Sequence, residues 1–151
     1  RMLWIPGLAG LDITDGHIDT LGRFVGATTI LVDRPSVDDP DDPWVSVAEE
    51  TRSVLSEASM GNGQPYSIEE ITQPLDIRGG GDEFLSTYMN FYLCNGAVIA
   101  PEFGDTKADA AAAERLGQLF PDREIVTLDI DALAAGGGGI HCATQQQPAR
   151  R

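Results

Sequence analysis

The chain has 151 residues, with 24 Asp and Glu against 10 Lys and Arg, and a formal net charge of −14. At 42% hydrophobic and 23% charged residues it is long and apolar enough to bury a core, which excludes wholesale disorder. The acid excess argues against a nucleic-acid partner and against an anionic membrane surface, both of which need a basic face, and it permits a cationic small-molecule substrate.

The elements follow in chain order. Residues 1–20 mix a short apolar run with Gly and Asp and read as a strand entering a polar loop. Residues 23–32 (RFVGATTILV) are β-branched and apolar, the pattern of a strand. An acidic, Pro-rich loop covers 33–43, and the acids at 38–42 read as solvated. Over 44–59, Trp44, Val47, Ala48, Thr51, Val54, Leu55 and Ala58 recur at helical spacing, with Asp42 as N-cap and Pro43 at the first helical position. Gly61 and Gly63 end that helix, and 66–76 reads as extended. Residues 86–94 and 97–101 predict a hairpin about Asn95-Gly96. A second helix over 107–120 is capped by Asp105 or Thr106, presents Ala108, Ala112, Leu116 and Leu119 on one face, and stops at Pro121. Residues 124–129 form the next strand. The order is strand, strand, helix, strand, given twice, with a third unit expected to begin at Gly139; such repetition points to an array or propeller-like assembly. A chain that opens inside an apolar run and stops as a unit begins reads as part of a longer one.

Cys94 and Cys142 make neither a disulfide framework nor a CxxC pair. No signal peptide or run of transmembrane length is visible, so the expectation is a soluble protein of a reducing compartment, most simply cytoplasmic. Oligomeric state is left open, a homo-oligomer included.

Two segments carry chemistry. In GGGGIHCATQQQ, Cys142 follows a Gly-rich turn, where backbone comes close to a ligand, and its thiol is a candidate nucleophile. The plainer alternative is a small buried strand Cys; the polar TQQQ that follows weighs against it. In DITDGHID, strand alternation would turn His17 and Asp19 to the same side, where the carboxylate can orient the imidazole. Here the plainer alternative is a bend at Asp15-Gly16 with His17 merely exposed. His17, Asp19, His141 and Cys142 do not have zinc-ligand spacing, and Gly136 to Gly139 lacks the Lys-Ser/Thr of a phosphate loop. Cys94 reads as a strand or turn residue, and Gly79 to Gly81 as a loop.

DITDGHID, YMNFYLCNGAVIAPEFGD, FPDREIV and GGGGIHCATQQQPA together resemble the C-terminal half of the agmatine deiminase family, which includes bacterial-type peptidyl-arginine deiminases. The resemblance runs from about Trp4 to Ala149. It implies an α+β chain, part of a pentein-type α/β propeller of strand-strand-helix-strand units. Residues 1–151 would be the C-terminal part of one catalytic domain whose N-terminal part is absent. It implies Cys142 as nucleophile, His17 as general acid and base, and Asp19 as a carboxylate for the guanidinium. Asn90, rather than Asn95, would line the substrate, with Asp15 and Gly139 beside it. Gly139 stands where many members have Asn, and a further family carboxylate has no counterpart here. The implied reaction is deimination of a cationic guanidinium, without metal or cofactor: agmatine to N-carbamoylputrescine and ammonia in putrescine biosynthesis, or peptidyl-arginine to citrulline. These residues by themselves would be nearly inactive. A reading from another class is a non-catalytic pentein-like binding module, which need not keep Cys142, His17 and Asp19 together.

Overall fold

A computed structural model describes residues 2–11, 13–37 and 39–148; Arg1, Asp12, Asp38 and 149–151, at the edges of segments read above, lie outside. The described chain is a mixed α+β structure with two three-stranded sheets. A short helix α1 (Ile18–Leu21) leads into β1 (Gly22–Phe24) and β2 (Thr29–Arg34); α2 (Pro43–Ser56) and β3 (Ser67–Thr72) complete the first unit. The second consists of β4 (Tyr92–Cys94), β5 (Ala97–Glu102), α3 (Thr106–Leu119) and β6 (Glu124–Asp129), followed by a short α4 (Asp131–Ala134). Each sheet pairs its first two strands antiparallel and its last two parallel, with the long helix as the crossover.

The long helices form where local signals agree. The Asp42 carboxylate accepts from Trp44 N at 2.9 Å with Pro43 at the first turn, and the Asp105 carboxylate accepts from Ala108 N at 3.1 Å. Asp105, not Thr106, is thus the second cap. Asn95-Gly96 makes the two-residue hairpin turn, and Gly96 takes φ +79°, which a side chain would disfavour.

Four predicted boundaries are corrected. The apolar run 23–32 is two strands, because residues 25–28 turn and Val25 N bonds Thr29 O at 3.1 Å. Among the described residues of 1–20 there is no strand. Residues 86–91, read as part of a strand, lie outside β4. The described residues after Gly139 also hold no strand, so no third unit starts among them.

β2 is buried on both faces, which explains its unbroken apolar run. Ile30 and Val32 pack with Leu55 of α2, while Leu31 faces a larger core with Ile71, Phe91 and Leu116. That larger core includes residues of both units, and α3 touches β3 as well as its own sheet. Edge-to-face pairs Tyr88–Phe103 and Phe91–Phe120 fill it. Among the described residues no helix is long and apolar enough to cross a membrane.

Candidate active site

The site assembles from three stretches. The first precedes β1. Asp15 (φ +56°) and Gly16 (φ +93°) turn the chain with left-handed backbone, and His17 then stands extended as the N-cap of α1. Asp19 falls in the first turn of that helix and is buried. Strand alternation is therefore not what pairs the two residues. The helical turn is, and it sets His17 Nδ1 2.6 Å from Asp19 Oδ1.

The second stretch precedes β4 and carries Asn90, wholly buried. The third is the turn after α4. Ala143 N bonds Gly139 O at 3.2 Å and Thr144 N bonds His141 O at 3.1 Å, which puts Cys142 on an exposed tip. Asn90 fastens this tip. Its Oδ1 accepts from His141 N at 2.8 Å and from Cys142 N at 3.3 Å, and its Nδ2 lies 3.2 Å from Cys142 Sγ as donor.

Asp19 joins the stretches. Its Oδ2 lies 2.6 Å from His141 Nδ1 and 3.6 Å from Cys142 Sγ, while Oδ1 holds His17. Burial opposes ionisation of Asp19, but the hydrogen bonds from His141 and His17, with the charges these rings can carry, outweigh it and hold the carboxyl below its ordinary value. An ionised carboxylate only accepts, so both Nδ1 atoms donate. Each ring is then left with Nε2 to exchange a proton with a ligand. A cavity of about 370 Å³ is lined by His17, Asp19, His141 and Cys142, with Thr14, Thr20, Leu85 and Gly137 completing its wall.

The structure thus brings together His17, Asp19, Asn90, Gly139 and Cys142. Gly139 is buried directly against Asn90, and its lack of a side chain leaves room for Oδ1. Asp15 stands outside the set: its Oδ1 accepts from Gly10 N at 2.6 Å. Cys94, at the end of β4, faces the Ala97 carbonyl. The sequence alone offers His141 only as a metal ligand. Its adjacency to Cys142 was visible, but its partner lies 122 residues away. Both histidines aim Nδ1 at one carboxylate rather than at a shared point, and no metal-holding group exists among the described residues. A thiol, a buried carboxylate and two rings with free Nε2 atoms can bind a planar cation, attack it and move its protons.

The profile of the Porphyromonas-type peptidyl-arginine deiminases matches residues 1–148. The agmatine deiminase of Medicago truncatula is 34% identical over 99% of this chain. Among solved structures, the agmatine deiminase of Enterococcus faecalis superposes with a TM-score of 0.84 at 26% identity over 99% of the chain and 45% of its own. A substrate-bound agmatine deiminase of C. jejuni superposes at 0.77, with 28% identity over 95% of this chain and 40% of its own. The chain spans less than half the length of the curated relatives it matches, 45% of the Medicago protein. On sequence and fold together, the chain belongs to the Porphyromonas-type peptidyl-arginine deiminase family.

Proposed function

We propose that this chain is the C-terminal part of a catalytic domain that hydrolyses a guanidinium group, with agmatine as substrate and N-carbamoylputrescine and ammonia as products. The observation that carries the reading is the convergence of Cys142, Asp19 and two histidines on one cavity wall, with Asn90 buried behind Cys142 rather than lining the cavity. The names of the relatives support agmatine; the peptidyl-arginine description of the family supports the second substrate, an arginine side chain giving citrulline. The repeated units of identical topology support a pentein-type propeller in the complete domain.

In this mechanism Asp19 receives two guanidinium N–H groups through lone pairs that the histidines leave open. The Cys142 thiolate adds to the central carbon, forming the S–C bond of a tetrahedral adduct. His17 gives a proton to the departing nitrogen, the C–N bond breaks, and ammonia leaves a thiouronium on sulfur. His17 then takes a proton from water, whose oxygen attacks the same carbon; the S–C bond breaks and the ureido product leaves. Asn90 Nδ2 stabilises the sulfur, and Gly139 gives Asn90 its space. Asp15 acts by shaping the turn that presents His17. The residues themselves supply nucleophile, proton carrier and anion, so no cofactor enters. We further propose a cytoplasmic enzyme of putrescine formation, a role supported by the agmatine deiminase names of the relatives.

The test is ammonia release from agmatine and, separately, from an N-acyl-arginine peptide, by the protein as its gene encodes it. Release from agmatine that vanishes in Cys142→Ala is the expected result. Full release by that variant would end the proposal, and release from the peptide alone would move the substrate to protein arginine.

A further inference from the structure

Residues 87–91 run through the deepest part of the core. Thr87, Tyr88, Met89, Asn90 and Phe91 are each no more than 3% exposed, yet they form no strand. Buried carbonyls outside a ladder need donors from elsewhere. The two on either side of Asn90 share one. Nη1 of Arg23 donates to Met89 O at 3.0 Å and also to Phe91 O. The same guanidinium lies over the Phe91 ring, 4.0 Å from its centroid.

Arg23 is the middle residue of β1, so its side chain reaches from the first unit into the second. A planar cation suits this place: it stacks on a ring while donating in its own plane. Its grip encloses the one residue whose side chain then holds three atoms of the Cys142 turn, His141 N, Cys142 N and Cys142 Sγ.

We propose that Arg23 is a positioning residue for the reaction: by clasping the carbonyls before and after Asn90 it fixes the asparagine that orients Cys142. The proposal rests on Cys142 being the nucleophile, as read above. A mere tie between the two units would also cost stability when cut, but it would not act through Asn90.

The experiment is a double-mutant cycle on the protein as its gene encodes it. The readout is the rate at which a haloacetamidine alkylates Cys142, with Cys94 as internal control. The variants are Arg23→Met, Arg23→Lys, Asn90→Ala and the combination of Arg23→Met with Asn90→Ala. Arg23→Met and Asn90→Ala are each expected to slow alkylation about tenfold or more, the size of a lost charge-assisted hydrogen bond. The double variant should be no slower than Asn90→Ala, and Lys should restore part of the rate. Multiplying losses in the double variant, or an unchanged rate in both Arg23 variants, would overturn the proposal. Should Arg23→Met not fold, Arg23→Lys closes the same cycle. Failure of the catalytic reading looks different, because wild-type Cys142 then reacts no faster than Cys94. In that event amide exchange at Cys142 decides, because the His141 N–H is held by the Asn90 carbonyl, at 3.1 Å, as well as by its side chain. Faster exchange on changing Arg23, absent when Asn90 is already Ala, sustains the positioning role, and unchanged exchange removes it.

Discussion

A Cβ on Gly139 would overlap Oδ1 of Asn90, the atom that receives the backbone N–H groups of His141 and Cys142. The missing side chain and the hydrogen-bonded turn are therefore one arrangement. Asn90 is wholly buried and has little room to retreat. Gly139→Ala should cost on the order of 1–3 kcal/mol of stability by overpacking. It should also slow alkylation of Cys142 while leaving Cys94 untouched. Thermal unfolding and mass-resolved labelling check both; normal Cys142 labelling in a folded variant would show that Asn90 is not what holds the turn.

Asp19 offers each histidine an acceptor. In Asp19→Asn one of those acceptors becomes a donor, so one ring must present a lone pair and change its tautomer. Turnover should fall by about a hundredfold or more, since the proton carrier is then misprepared. Stability carries a second signature. The folded carboxyl lies below its ordinary value, so its contribution is complete above about pH 4 and is lost as pH falls through the folded value. Urea unfolding of Asp19→Asn between pH 2 and 7 should lack that part of the acid fall-off.

Asp33 on β2 has the opposite sense. Burial pushes its carboxyl up to about 7, against hydrogen bonds from Thr87 Oγ1 at 2.6 Å and from Gln73 Nε2. Between pH 4 and 7 the folded chain holds a proton that the unfolded chain has released. Stability from this group therefore falls as pH rises through that window and is flat beyond it. Asp33→Asn keeps the Thr87 bond, and the Gln73 amide can turn to accept. The variant should gain on wild type with rising pH, by a few kcal/mol at pH 8 relative to pH 4. An identical pH slope in denaturant titrations of both proteins would contradict this.

Thr51 lies on the buried face of α2 with a hydroxyl that has no hydrogen-bond partner among the described residues. Val has nearly the same shape without the polar atom. Thr51→Val should stabilise by about 1 kcal/mol, visible as a rise of a few degrees in Tm. A fall would mean that the hydroxyl is satisfied in solution.

What the sequence reveals here depends on range. The caps at Asp42 and Asp105 and the Asn95-Gly96 turn act over a few residues, and α2, α3 and the second hairpin are accordingly close to their predicted places. The first hairpin hid inside one apolar run, because β2 is covered on both faces and loses its alternation. Residues 86–91 looked like strand because they are apolar and aromatic. Two of their carbonyls are satisfied by a distant arginine, which periodicity cannot announce. At the site, His17 and Asp19 meet because they are near in sequence, through a helical turn rather than strand alternation. His141 reaches the same carboxylate only through the tertiary fold.

The two units enter their sheets in the same way, and each carries its polar side chain just ahead of the first strand: Asp19 stands shortly before Gly22, and Asn90 shortly before Tyr92. These short leads act as rulers. One residue added between Asp19 and Gly22 would swing the carboxylate out of reach of His141, whereas several added at the exposed turn near Gly63, on the far run from α2 to β3, leave every spacing in the site unchanged. Added length is therefore expected to be tolerated at the crossover turns and not at the strand entrances.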